Sequence, residues 1–87
     1  MKTKEKFICK SPGKRSLAVI ARDRKVISPS MTREYDFVWR RARGCYVWDL
    51  DGRKYLDFGA AVAVAAVGHT NPFVVKAVQR QLRDGTH

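Results

Sequence analysis

Three aspartates, two histidines and two cysteines carry most of the chemistry that this 87-residue chain could offer. Asp49, Asp51 and Asp57 lie close enough in sequence to raise the question of a carboxylate pair for general acid–base work. Their context points elsewhere. Asp51 precedes Gly52, and Asp-Gly is the dipeptide a two-residue type I′ turn wants, because both central residues need φ > 0. Asp49 and Asp57 fall near the ends of the strands that such a turn would join, so all three are read as structural. His69 and His87 have no second histidine or cysteine three to five residues away, so no metal site is expected. Cys9 and Cys45 form neither a Cys-x-x-Cys pair nor a disulfide framework. A reducing, cytoplasmic compartment is the simpler assumption.

The elements around these residues follow from the pattern of the chain. Val47 to Leu50 and Lys54 to Phe58 are rich in β-formers and flank Asp51-Gly52. Tyr35 to Arg40 alternates well enough for a further strand, with Arg41-Ala42-Arg43-Gly44 as the turn into the hairpin. Strands near 36–40, 46–50 and 53–57 then make a small three-stranded antiparallel meander. Ahead of it, a helix from about Ser11 to Val26 is expected, with Ser11 as N-cap and Pro12 at the first helical position. Leu17, Ile20, Ala21 and Val26 recur at helical spacing, and Arg24 and Lys25 suit the C-terminal end of the helix dipole. Ser28-Pro29 ends that helix, since the residue before proline is pushed out of the α region. Residues 1–10 are expected to be a mobile basic lead.

Downstream, Gly59 to Val67 contains no charge, and eight of its nine residues are Ala or Val. With no polar face, it demands burial on nearly all sides. Two helices and a meander cannot wrap it, so an uncovered apolar patch and a missing partner are expected. Gly68-His69-Thr70-Asn71-Pro72 turns into a second helix, Pro72 to about Arg83, with Asn71 as N-cap. Val74, Val75, Val78 and Leu82 form its apolar stripe, and Asp84-Gly85 stops it. The fold class is α+β: N-terminal helix, antiparallel meander, buried small-residue segment, C-terminal helix.

Composition limits the partners. The hydrophobic content of 45% is not that of a disordered chain, and the length allows one domain at most. The formal charge of +10 is uneven: residues 1–25 hold nine Lys/Arg against Glu5 and Asp23. A basic arm can bind nucleic acid. This one has no aromatic interleaving beyond Phe7 and no helix-turn-helix, zinc or RNA-binding signature, so a solvated leader is the reading and no nucleic-acid partner is expected. The Lys-rich start is followed by no apolar core of signal-peptide length. Phe58 to Val67 is about half of what a membrane span needs.

The ordered set Gly44, Val47, Trp48, Asp49, Asp51, Gly52, Tyr55, Leu56, Asp57, Phe58, then Val62, Ala63, Val64, then Gly68, His69, Pro72, Ala77 and Gln81 resembles the N-terminal region of class III aminotransferases of the ornithine, acetylornithine and 4-aminobutyrate type. The resemblance runs from about Ser28 to the last residue. It implies a fragment of a fold type I pyridoxal-phosphate-dependent transferase, with residues 11–87 as the N-terminal segment and the large cofactor-binding domain absent. It further implies amino-acid and 2-oxo-acid substrates, pyridoxal phosphate bound by the downstream domain, and a homodimer. On the same resemblance Val62 is an apolar wall of the substrate pocket, and Ala61 beside it stands where the family has glycine. Met31 replaces a loop aromatic found in a subset of the family, and Asn71 replaces the second histidine. No lysine here has the context of the cofactor lysine. The chain is therefore assigned no catalytic, cofactor-binding or metal-binding residue, and is expected to be inactive alone. The alternatives are a segment of a same-family aminomutase or amino-acid racemase, or a small basic nucleic-acid-binding protein.

Overall fold

A computed structural model describes residues 12–31, 33 and 35–87. The expected mobile lead and the Ser11 cap lie outside the described residues. The element order is α1 (Lys14–Val26), β1 (Trp39–Arg43), β2 (Tyr46–Asp49), β3 (Lys54–Leu56), a single irregular turn α2 (Ala60–Ala63) and α3 (Pro72–Asp84). The strands form an antiparallel sheet in the order β1-β2-β3. Helices and an antiparallel meander make the α+β architecture that the sequence predicts.

Helix α1 starts later than expected. Gly13, not Ser11, is its N-cap and has no side chain to cap with, and Pro12 lies outside the helix. The cap comes from the sheet: the Asp51 carboxylate accepts the backbone N–H groups of Arg15 and Ser16, each at 3.0 Å. The C-terminal end matches its sequence, with Arg24 and Lys25 in the last turn. Ion pairs Arg33–Asp23 at 3.0 Å and Arg24–Asp36 at 3.2 Å then fold the following loop back along the helix. A groove of about 580 Å³ lies between them, lined by Ile20, Ile27, Met31, Phe37 and Trp39 among others.

The first strand is displaced toward the C-terminus. Arg41, Ala42 and Arg43, expected in a turn, pair with Trp48, Val47 and Tyr46, and the connection is Gly44-Cys45. The register shifts between Trp39 and Arg41, a bulge at Arg40. Arginine has no strong β preference, and Arg41 and, on β3, Lys54 stack on rings of β2. The Arg41 guanidinium lies 4.2 Å from the Trp48 ring centroid, and Lys54 Nζ lies 3.9 Å from that of Tyr46.

The Asp51-Gly52 hairpin is where the sequence puts it, but its turn is of another kind. The Asp49 N–H donates to the Arg53 carbonyl at 3.0 Å and the Gly52 N–H to the Asp49 carbonyl at 3.1 Å. Leu50-Asp51-Gly52 is therefore a three-residue loop in which only Gly52 has positive φ, at +86°. Asp51 keeps an ordinary backbone, and its carboxylate is directed at α1.

The core is small and lies on one face of the sheet. Val47 is 6% exposed and Asp49 3%. Phe37 packs edge-on against Tyr55 and Trp39, and Trp39 against His69. Asp49 is tolerated there because it accepts the Arg53 N–H at 2.8 Å and the Tyr55 hydroxyl at 2.9 Å. Burial first, and then the bond to Asp49, push the Tyr55 hydroxyl pKa up.

Helix α3 forms as the sequence predicts. The Asn71 side chain accepts the Phe73 N–H at 3.0 Å, Pro72 opens the helix, and Gly85 follows its last residue, Asp84. Most of the small-residue segment is exposed among the described residues. Phe58 is 91% exposed and Val62 89%, with Val64 and Val67 also open. Val74, Val78 and Leu82 of α3 are exposed too. The burial this segment demands is not supplied by α1, α3 or the meander. No described helix is long and apolar enough to cross a membrane.

Candidate functional site

Residues 58–68 form a loop whose two ends meet at one carboxylate. Asp57 follows β3, and its Oδ1 accepts the N–H groups of Gly59 at 2.9 Å and Ala60 at 3.0 Å. This is the local geometry an aspartate two and three residues ahead of free N–H groups adopts. Its Oδ2 meets His69 Nε2 at 2.5 Å, and both side chains are mostly buried. The His69 bond first, then the backbone donors of Ala60 and Gly59, hold the Asp57 carboxyl below its ordinary value, against desolvation. His69 is in turn fixed by its backbone, which exchanges two 2.9 Å hydrogen bonds with Gly44 across the β1–β2 turn. Gly68 must be glycine here: its φ is +82°, and a Cβ would lie 3.3 Å from the Gly44 Cα.

Inside the loop the backbone is strained. Ala60, Ala61 and Ala63 all have positive φ, at 50°, 59° and 55°. Ala61 combines φ 59° with ψ −126°, a region suited to glycine rather than to a residue with a Cβ. The departure noted in the sequence, Ala61 where glycine stands in the family, thus falls at a position whose backbone favours glycine. Val62 lies next to it, and both are exposed on the outside of the loop.

The three aspartates do not converge. Asp49 bonds the Arg53 N–H and the Tyr55 hydroxyl, Asp51 caps α1, and Asp57 closes the loop. Asp57 with His69 is the pair that sequence reasoning left unjoined. The signal for it was Asp57 two residues ahead of Gly59, a turn-capping arrangement. His69 Nε2 is added by the fold alone. Among the described residues no group of three or more His, Cys, Asp or Glu could hold a metal ion.

A pyridoxal phosphate site needs a recessed lysine amine, a carboxylate facing the ring nitrogen and donors converging on a phosphate. Among the described residues Lys14, Lys25, Lys54 and Lys76 are all exposed, and Lys54 lies over the Tyr46 ring. With Asp49 and Asp57 bonded to nearby groups and Asp51 to the start of α1, these lysines and aspartates do not compose such a site.

Comparison with known proteins agrees with the pattern of residues. The chain is 51% identical over 47 residues to the 4-aminobutyrate aminotransferase GabT of Escherichia coli, covering 54% of this chain and 11% of that protein. It is 36% identical over 78 residues to an alanine/serine racemase of Pyrococcus horikoshii, covering 88% and 16%. It is also 49% identical over 47 residues to a glutamate-1-semialdehyde 2,1-aminomutase of Syntrophobacter fumaroxidans, covering 54% and 11%. Among solved structures, an acetylornithine aminotransferase from Elizabethkingia anophelis superposes with a TM-score of 0.71 at 31% identity, over 78% of this chain and 18% of that one. An omega-transaminase from Sphaerobacter thermophilus gives 0.73 at 33%, over 86% and 18%. The chain thus spans less than a fifth of each of these proteins. Residues 27–87, well over half of the chain, match the model of the family described as Aminotransferase class-III, and this chain belongs to that family.

Proposed function

We propose that this chain is the N-terminal segment of a pyridoxal-phosphate-dependent aminotransferase subunit. The whole enzyme would move an amino group from an amino acid of the 4-aminobutyrate, ornithine or acetylornithine kind to a 2-oxo acid. Val62 and Ala61 supply an apolar wall of its donor pocket. The observation that carries the reading is the loop 58–68: tied at both ends and defined in shape, yet with Phe58, Val62 and Val64 open to solvent. Such a patch, followed in sequence by an apolar stripe on α3, marks a surface awaiting cover. In this reading the cover is the cofactor-bearing large domain, and through it a second subunit of a cytoplasmic homodimer. The cofactor would supply the electron sink and carry the amino group. This chain's share is to orient the donor and keep water from it.

The chain alone is inactive in this reading, because the Schiff-base lysine, the pyridinium partner and the phosphate donors belong to the downstream domain. Borohydride trapping of the 87-residue chain with pyridoxal phosphate, followed by peptide mapping, tests this. Label scattered over the exposed lysines, with no turnover of an amino donor and 2-oxoglutarate, is expected. Stoichiometric label on one lysine with turnover overturns it. A racemase or aminomutase subunit is the second reading, favoured by the racemase match over 88% of this chain. Turnover of a range of amino donors by the chain joined to its large domain separates the two.

A further inference from the structure

We propose that Asp57 and His69 act together as positioning residues, a clasp that holds the 58–68 loop in the one shape that presents Val62 and Ala61. The inference deepens the proposed function, since it rests on reading Val62 and Ala61 as a pocket wall. The loop has little else to hold it. Its apolar side chains lie in the open, so packing within the chain contributes little. Its backbone carries three alanines with positive φ, a conformation that relaxes unless the surroundings fix it. Its internal backbone bonds, from Ala63 N–H to the Gly59 carbonyl at 3.2 Å, from Val64 and Ala65 N–H to the Ala60 carbonyl at 2.9 and 3.1 Å, and from Gly68 N–H to the Ala65 carbonyl at 3.0 Å, close single turns only. Isolated turns of this kind are marginal in water.

The clasp joins entry to exit. One carboxylate receives the N–H groups of Gly59 and Ala60, the second and third residues of the loop, and, on its other oxygen, the imidazole of the residue just past it. Hydrogen bonds to an ionised carboxylate are the stronger kind. His69 passes the constraint on to the sheet, because its main chain is bonded twice to Gly44 and its ring packs edge-on against Trp39 at 5.4 Å. The loop is thereby referenced to β1 and β2 rather than hanging from the end of β3.

The test is amide hydrogen exchange on the intact gene product, which needs no turnover. Asp57→Ala should speed exchange at Gly59, Ala60 and Val64 by about tenfold or more, while the β2 amides move less than about twofold. Asp57→Asn keeps an oxygen for the two N–H groups and should recover most of the protection at Gly59 and Ala60. His69→Ala should loosen Ala65 to Gly68 and shift the Trp39 emission, and His69→Gln, which keeps an N–H donor, should restore part of both. Unchanged exchange in the two alanine variants overturns the proposal. So does acceleration spread equally through β2, or an Asn or Gln variant no better than Ala. If Asp57→Ala does not fold, the His69 pair decides alone. Failure here leaves the aminotransferase reading untouched, whereas failure of that reading leaves the exchange pattern as it is and removes the pocket wall that the clasp is proposed to present.

Discussion

Gly13 and Asp51 are 38 residues apart in sequence, and a Cβ placed on Gly13 would lie 2.3 Å from the Asp51 carboxyl carbon. The glycine leaves room for the carboxylate of a hairpin tip to cap a helix from outside it. Gly13→Ala should push that carboxylate aside, uncap α1 and lower its helicity. Asp51→Ala should do the same. Because both variants break one contact, the double variant should be no worse than either alone, a double-mutant cycle read by far-UV circular dichroism.

The same carboxylate predicts acid sensitivity. The Ser16 hydroxyl close beside it, the N–H groups of Arg15 and Ser16, and the Arg53 charge hold the Asp51 carboxyl below its ordinary value of 3.8, with desolvation opposing. Asp57 is lowered as well, chiefly by His69. A carboxyl whose folded-state pKa is depressed contributes stability above its unfolded value, and that stability is lost as pH falls through the folded one. Helicity and loop protection should therefore be flat down to about pH 4 and fall below it. Asp51→Asn should abolish the α1 part of that acid transition.

These two carboxylates also show where the sequence was legible. Helix α3 was readable throughout because its signals are local: Asn71 caps it, Pro72 opens it and Gly85 follows it. Asp51-Gly52 announced a hairpin correctly. Loop length was not readable, since Leu50 joins the turn at no cost visible in its type. The cap of α1 was invisible because it arrives from the far side of the fold. Strand β1 was misplaced because three of its five residues are arginines, and the ring that Arg41 stacks on, Trp48, is brought to it by the fold. The strained alanines gave no sign in composition, and only the family pattern, with glycine at position 61, pointed at one of them.

Ala61→Gly should stabilise the loop. Relief of the strained φ/ψ is worth on the order of 1–3 kcal/mol. Greater freedom of the unfolded chain takes back roughly 0.4–1 kcal/mol. A net gain of about 1 kcal/mol is expected, read as a higher urea midpoint at unchanged slope. Ala61→Val, which adds branching at the same φ, should lower the midpoint.

The cationic stack over the outer sheet face should be worth little. Lys54→Gln removes the ammonium from the Tyr46 ring at 3.9 Å and from Trp48 at 5.7 Å. At an exposed site the loss should be about 0.5–1 kcal/mol. The readout is the urea midpoint in the absence and presence of added salt.

The arginines of β1 have an effect beyond stacking. A three-stranded sheet has two outer edges, each a row of backbone groups able to recruit a strand from another molecule. Here one edge strand carries Arg40, Arg41 and Arg43, and the other is three residues long and begins with Lys54. Like charges meeting edge to edge repel, and a three-residue edge gives a foreign strand little to grip. Growth of the sheet into filaments is thereby opposed, although Phe58 and Val62 stand open a few residues away. Association is steered to side-chain surfaces that can be covered once and closed.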